Sequence, residues 1–552
     1  MKQRLVAIVL LIGCVICSKT ICAQHPEPVL ISDIYVGDSN GIKYPNMIGL
    51  GNELIFSANN GTNDIEPWIT DGTPSGSNMI KNIAIYTNLV TIDGASNPSE
   101  FILLGDKVLF SATYLQTGIE DRELFITDGT TGGTSILKNI NATNLGSSSN
   151  PSGYVILGNL CLFAANDGVH GRELWVTDGT SAGTQLLKDC QAGPLSSNPK
   201  DLRLINGKVY FAANNDAGES SIWVTDGTSS GTTILKSDCT AFFFTEYQGK
   251  IYFCGSDDSN GQELWVSDGT PAGTTIFKDL NPGLASSVPE NFIVHQNKLF
   301  FSAYDATHGR ELWVSDGTVS GTQMIDDIYP GIQNSSVNNM IVYNDQLFFT
   351  AKANDTDNEL WSTDGTLINT KKYVDINPGS SGSYPANFKV YNNRMYFVAH
   401  AADMDRQYWC IEGDNSPFKI KPSSANVDSS LNKLTRHSAI EVNGSLYFPA
   451  KYRSDIGVEL YKMTTTAYEE PTAIRKQDLG FNIEVYPNPA SNVLILKTPS
   501  VTSITIINSL GQGISWHKLN LGENTIDISN LTPGLYHILS EEGGHSKSFV
   551  KQ

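Results

Sequence analysis

Positive charge is scarce in this sequence. Of 552 residues, 37 are Lys or Arg against 57 Asp and Glu, a formal charge of −20. An acidic surface offers nothing to nucleic acid or to an anionic membrane, so neither is expected as a partner. Cysteine is sparse too: three of the eight (Cys14, Cys17, Cys22) lie at the extreme N-terminus, leaving Cys161, Cys190, Cys239, Cys254 and Cys410. An odd, scattered set does not read as a disulfide framework, and no CxxC pair remains to suggest zinc. Buried free thiols in strands are expected. No HExxH or GxxxxGK[ST] occurs, and the nine histidines are scattered. GxSxG occurs at Gly37–Gly41, Gly179–Gly183 and Gly227–Gly231, but none opens a helix as a nucleophile elbow must.

Long apolar runs are also absent beyond the first residues. There, Lys2 and Arg4 precede an apolar run from Leu5 to Cys17, and Ala23-Gln24 offers a cleavage point. The run is too short for the roughly 20 residues of a spanning helix, so residues 1–23 read as an export signal peptide. Leu11-Ile12-Gly13-Cys14 also fits a lipobox, which would make Cys14 a lipidated first residue. Either way no transmembrane segment is expected in the mature chain.

What the chain has in abundance is repetition. GRELWVTDGTSAGTQLLKDC begins at Gly171, GQELWVSDGTPAGTTIFKDL at Gly261 and GRELWVSDGTVSGTQMIDDI at Gly309. Asp-Gly-Thr recurs seven times, from Asp71, Asp128, Asp178, Asp226, Asp268, Asp316 and Asp364, at spacings of 42 to 57 residues. An apolar run ending in Phe keeps step with it from Phe56 to Phe448, giving nine units, of which the last two lose the triplet and keep Trp409 and Tyr461. Each unit divides into four short β-like runs separated by Gly, Asn, Asp and Ser. Four antiparallel strands repeated at this period predict β-propeller blades, because a lone sheet can bury its faces only against neighbours. Near Pro28, PVLISDI looks like a fourth strand without its first three, and the ninth unit ends after VELYKM, so the two termini are expected to close a ring of about eight to nine four-stranded blades.

The repeat resembles the ELWxxDGT repeat family over residues 28–463. The resemblance implies an extracellular, propeller-like array and no known ligand. The Asp of each triplet suits a structural turn, capping its own backbone while Gly supplies positive φ. The Trp series, such as Trp175 and Trp313, is expected between blades.

In an up-and-down blade, the Asp-Gly-Thr turns share one face with the turns after the first strands. Varied loops crowd the other: NDGVHGR from Asn166, SDDSNGQ from Ser256, YDATHGR from Tyr304, and the Ser-rich NPGLASSVP and NPGSSGSYP. Varied loops on a rigid frame are where binding usually resides, though these residues are also ordinary turn formers. The densest oxygen cluster, Asp257, Asp258, Asn260 and Glu263, suits Ca²⁺ by ligand type, although its spacing is not that of an EF-hand. No other cofactor is expected.

Residues 464–480 read as a polar linker, and 481–552 as a new all-β module, a small Ig-like sandwich. Its landmarks are Tyr486-Pro487-Asn488-Pro489, a central turn with Gly511, Gly534 and Tyr536 before a late strand, and Lys551 in the closing one. They resemble a type IX secretion C-terminal sorting domain. That resemblance implies export through the periplasm, recognition by secretion machinery at the outer membrane, and a mature protein on the cell surface or outside it. The reading is a non-catalytic, all-β protein binding glycan, protein or matrix in the manner of an adhesin. The alternative is a secreted polysaccharide hydrolase or lyase on the same scaffold, since propeller enzymes can assemble acids and bases from several blades.

Overall fold

The computed structural model describes residues 26–42, 46–62, 64–87, 91–379, 381–401, 406–422, 439–465, 483–498, 502–508, 513–540 and 546–552. The signal peptide with Cys14, most of the linker, and Gly511 lie outside them. The described residues are strands, turns and loops with no helix. Two compact units are present, residues 1–468 and 469–552.

Among the described residues the first unit contains nine four-stranded antiparallel sheets. We number them as blades 1 to 9 and their strands 1 to 4 from the inside outward. Blade 3 is typical: Ser152–Leu157, Leu160–Asn166, Arg172–Thr177 and Gln185–Lys188. Its apolar alternation explains the stacking. Strands 2 and 3 set Phe163 opposite Trp175, and both are buried in one cluster with Leu124, Cys161 and Leu137 of the neighbourhood shared with blade 2. Phe–Trp pairs recur as cross-strand partners in blades 4 to 8, with near-parallel rings 6.2 Å apart at Phe211–Trp223 and 6.4 Å apart at Phe301–Trp313. Burying side chains of this size contributes about 1.5–3 kcal/mol each, and only a neighbouring blade can supply the second wall.

The last blade is made from both ends of the array. Ile440–Val442, Ser445–Ala450 and Glu459–Met463 provide three strands, and Val29–Ser32 adds the fourth, outermost one, antiparallel to Glu459–Met463. The half-units at the two ends of the repeat thus complete each other, and the ring has nine blades. Where the chain leaves it, the fully buried Arg394 donates through Nε to Glu412 at 2.7 Å and through Nη1 to Thr465 Oγ1 at 3.2 Å.

The second unit is a two-sheet β-sandwich. One sheet holds Glu484–Tyr486, Val493–Thr498 and Gly522–Asp527; the other holds Thr502–Asn508, Gly513–Leu519, Gly534–Ser540 and Ser546–Lys551. Leu494, Leu496, Ile504, Ile506, Ile538 and Phe549 fill the space between them.

Candidate functional site

The blade topology gives the ring two unlike faces. One carries the strand 1–2 hairpins and the strand 3–4 turns. The other carries the strand 2–3 loops and the connections that lead from strand 4 into the next blade.

On the first face, each Asp-Gly-Thr is a closed hydrogen-bonded turn. Asp178 Oδ1 accepts the Thr180 N–H at 2.8 Å and its hydroxyl at 2.7 Å, and Thr180 Oγ1 accepts the Gly183 N–H at 2.9 Å. Gly179 sits at φ +85°, and a Cβ on Gly183 would meet the Asp178 carboxylate at 2.1 Å. Asp71, Asp128, Asp226, Asp268, Asp316 and Asp364 accept the same pair of bonds from the Thr two residues on. At Asp178, as at the other exposed members, the threonine hydroxyl first and its N–H second hold the carboxyl below its ordinary pKa. Ser181 is an exposed member of this turn.

On the second face, the organising group is the buried Glu two residues before the aromatic of strand 3, of which the sequence singled out only Glu263, and that one for calcium. Glu173 is fully buried, and its carboxylate accepts the N–H of Cys190 at 2.7 Å and both the N–H and hydroxyl of Ser197 at 2.6 Å. Cys190 and Ser197 belong to the connection into blade 4, so the side chain anchors that loop from beneath. Glu66, Glu123, Glu263, Glu311 and Glu359 hold their own connections in the same way. Burial pushes Glu66 and Glu123 up to about 7 and Glu311 up to about 8, against the pull of these hydrogen bonds. The connection crosses strand 3 so closely that a Cβ on Gly171 would meet the Leu195 carbonyl oxygen at 2.4 Å.

The varied loops are likewise tied down. Asp167 Oδ1 accepts the N–H of Val169 and His170, and its Oδ2 meets His170 Nδ1 at 2.7 Å. Asp305 and His308 repeat the arrangement in blade 6. Neighbouring blades are joined here as well, where Ala192 N–H donates to Asp216 at 2.8 Å. Above this scaffold stand exposed aliphatic side chains on five connections: Val36 (82 % exposed), Leu145, Leu195, Leu284 (75 %) and Ile332.

The four residues expected to hold calcium are not gathered. Asp257 Oδ1 is occupied by the N–H groups of Ser259 and Asn260 and by the Asn260 side chain. Glu263 is fully buried, with its carboxylate given to Leu280 and Ser287. Asp258 is exposed and faces Asp238, whose carboxyl it pushes up. Spacing alone hid this, because Glu263 lies on the strand and faces away from the turn that holds the other three.

In the C-terminal sandwich, Tyr486 donates to Glu523 at 2.7 Å. Pro487 and Pro489 each follow a cis peptide bond. Between them, Asn488 accepts the Val550 N–H at 2.9 Å and donates to the Ser548 carbonyl at 3.2 Å. Gly534 opens the strand that pairs with the last one, opposite Lys551. Tyr536 stacks on Phe549, and its hydroxyl donates to the Thr532 carbonyl at 2.9 Å.

These features define a propeller protein with an appended sorting module. Residues 484–552 match the family described as the secretion system C-terminal sorting domain. A type IX sorting tail of this kind marks a secreted or cell-surface protein and implies the secretion machinery as a partner. No curated protein matches the chain. Solved structures with some likeness include a prolyl endopeptidase (10 % identity, TM-score 0.36, 64 % of this chain and 54 % of that one). They also include PorZ, a surface component of the type IX secretion system of Porphyromonas gingivalis (11 %, 0.24, 95 % and 100 %), and the β-propeller domain of the trilobed protease of Pyrococcus furiosus (13 %, 0.32, 68 % and 99 %). The chain spans only 54 % of the prolyl endopeptidase. At these scores the likenesses carry no argument, and the fold rests on the strand pairing above. Among the described residues no helix is long and apolar enough to cross a membrane.

Proposed function

We propose that this is a non-catalytic exported protein that binds glycan, protein or matrix through the connection-bearing face of an ELWxxDGT-type propeller. The observation that carries the reading is the pairing of anchored loops with exposed apolar tips. Glu66, Glu123, Glu173, Glu263, Glu311 and Glu359 fix the backbone of the connections, while Val36, Leu195, Leu284 and Ile332 point apolar surface at solvent. Aliphatic groups held out on rigid loops pay little ordering entropy on binding, which is what a recognition surface needs. The repeated carboxylates are committed to turns and connections, so they support a scaffold more readily than an acid–base pair.

The test is to screen the purified chain on a glycan array and a panel of matrix proteins, beside a triple variant Leu195→Ser, Leu284→Ser, Ile332→Ser. The reading expects at least one binder whose signal falls about tenfold in the triple variant at an unchanged melting temperature. Turnover of a polysaccharide in the same panel would instead favour the hydrolase or lyase alternative.

A further inference from the structure

Blade 2 breaks the repeat where strand 3 begins. Blades 3, 5 and 6 have Gly171, Gly261 and Gly309 two residues before the anchoring Glu; blade 2 has Asp121 and blade 7 has Asp357. In blade 7 the three carboxylates Asp357, Glu359 and Asp375 bring an oxygen each within 4.8 Å of one another. A cation already sits among them: Lys372 Nζ lies 2.5 Å from Asp357 Oδ2 and 4.0 Å from Asp375 Oδ2.

Blade 2 keeps two of the three acids, Asp121 and Glu123, has Asn139 in the place of Asp375, and loses the lysine. Asp121 and Glu123 are both fully buried, and they stand two apart on one strand, hence on one side of it. Lys372 pairs across the sheet with Trp361, and the residue in that place in blade 2, opposite Phe125, is Ile136. Tyr114, directly opposite Asp121, donates to Asp121 Oδ2 at 3.2 Å and accepts from Asn139 Nδ2 at 3.2 Å. What remains is a pair of oxygens, Asp121 Oδ1 and Asn139 Oδ1, both buried and both without a hydrogen-bond partner. Glu123 is saturated by the N–H groups of Ile140, Asn141 and Ser149 and the Ser149 hydroxyl, so it adds negative charge beside them and no free lone pair.

Two adjacent buried carboxylates without a cation are costly. We propose that blade 2 holds a calcium-type divalent cation, bound by Asp121 Oδ1, Asn139 Oδ1 and the Tyr114 hydroxyl oxygen, in the place that Lys372 fills in blade 7. All three donors are hard oxygens, which selects for Ca²⁺ over softer metals, and water completes the shell of six to eight. With one ligating carboxylate the affinity belongs to the weak extracellular range, a Kd of roughly 10⁻⁴–10⁻³ M.

Terbium tests this directly, because a lanthanide at the site is within reach of the Tyr114 ring. The full chain expressed without residues 1–23 is titrated with Tb³⁺ and excited through tyrosine, and calcium is then added as competitor. The expected result is sensitised emission that calcium displaces, together with a higher melting temperature in millimolar calcium than in chelator. Asp121→Asn should weaken both by at least about tenfold, Tyr114→Phe, which removes a ligand and the sensitiser together, should lose the sensitised emission and reduce the calcium shift, and Asp357→Asn should leave both in place. No calcium-displaceable emission and no calcium shift in the parent chain would overturn the proposal, as would an Asp121→Asn variant that keeps them.

Discussion

Glu459 and Gly41 are 418 residues apart in sequence and 2.7 Å apart in space, the Gly41 N–H donating to Glu459 Oε1. The other carboxylate oxygen accepts the Ile34 N–H at 3.1 Å. This is the anchoring Glu of blade 9, and the connection it holds is the N-terminal segment, so one buried side chain secures the joint of the ring. Glu459→Ala leaves two buried donors unpaired, at about 1–3 kcal/mol each. The expected loss is about 2–5 kcal/mol in urea unfolding, against less than about 0.5 kcal/mol for the exposed Glu441→Ala in the same blade. Equal midpoints for the two variants would show that the joint does not depend on this carboxylate.

The anchoring carboxyls also predict how stability follows pH. Burial raises Glu66 and Glu123 to about 7, and Glu311 and Glu459 to about 8, all above the ordinary 4.5. The folded state therefore holds these protons more tightly than the unfolded chain. The contribution is fully present below about pH 4.5 and is lost as pH rises through 7 to 8. Melting temperature should fall between pH 5.5 and pH 8.5, and Glu311→Gln should flatten part of the slope; a curve that rises over this interval contradicts it.

Asp-Gly-Thr turns should behave as independent fasteners. Gly183→Ala drives a methyl group into the Asp178 carboxylate and should cost more than Asp178→Ala, which removes two exposed hydrogen bonds for about 1 kcal/mol. Matching substitutions at Asp226 and Asp316 should give similar losses and leave ligand capture on the opposite face intact, a comparison that calorimetry and the binding screen make together.

Much of this was legible in the sequence. Phe163 and Trp175 recur with their strands, so the blades and the shared closing blade could be read from the repeats, which left the ring at eight or nine blades until the strand pairing set it at nine. The anchoring Glu was harder, because its partners lie in a loop 17 and 24 residues further on, beyond any local periodicity. A signal did exist: Glu173–Ser197, Glu263–Ser287, Glu311–Ser335 and Glu359–Ser383 keep the same interval, and blade 4, with Ser221 for the Glu, has a shortened connection without the Ser. The four residues of the calcium expectation are apart for the complementary reason. Closeness in sequence suggested convergence, while strand alternation sent Glu263 to the interior.

The thiols give a plain check on burial. Cys161, Cys190, Cys239, Cys254 and Cys410 are free and buried, and desolvation pushes Cys161, Cys239 and Cys254 up to about 12. In the chain expressed without residues 1–23, Ellman's reagent should find no reactive thiol in the native state, and all five after denaturation. Rapid reaction of any one in the native state would mean that its blade interface opens.

The closing strand at Val29–Ser32 has a consequence for the order of manufacture. A chain delivered amino end first carries an unmated strand until Glu459–Met463 arrives, and the address label at 484–552 follows within a few dozen residues. A product that ends before Glu459 lacks the mate and the label together, so a chain that cannot finish its ring also carries no sorting signal.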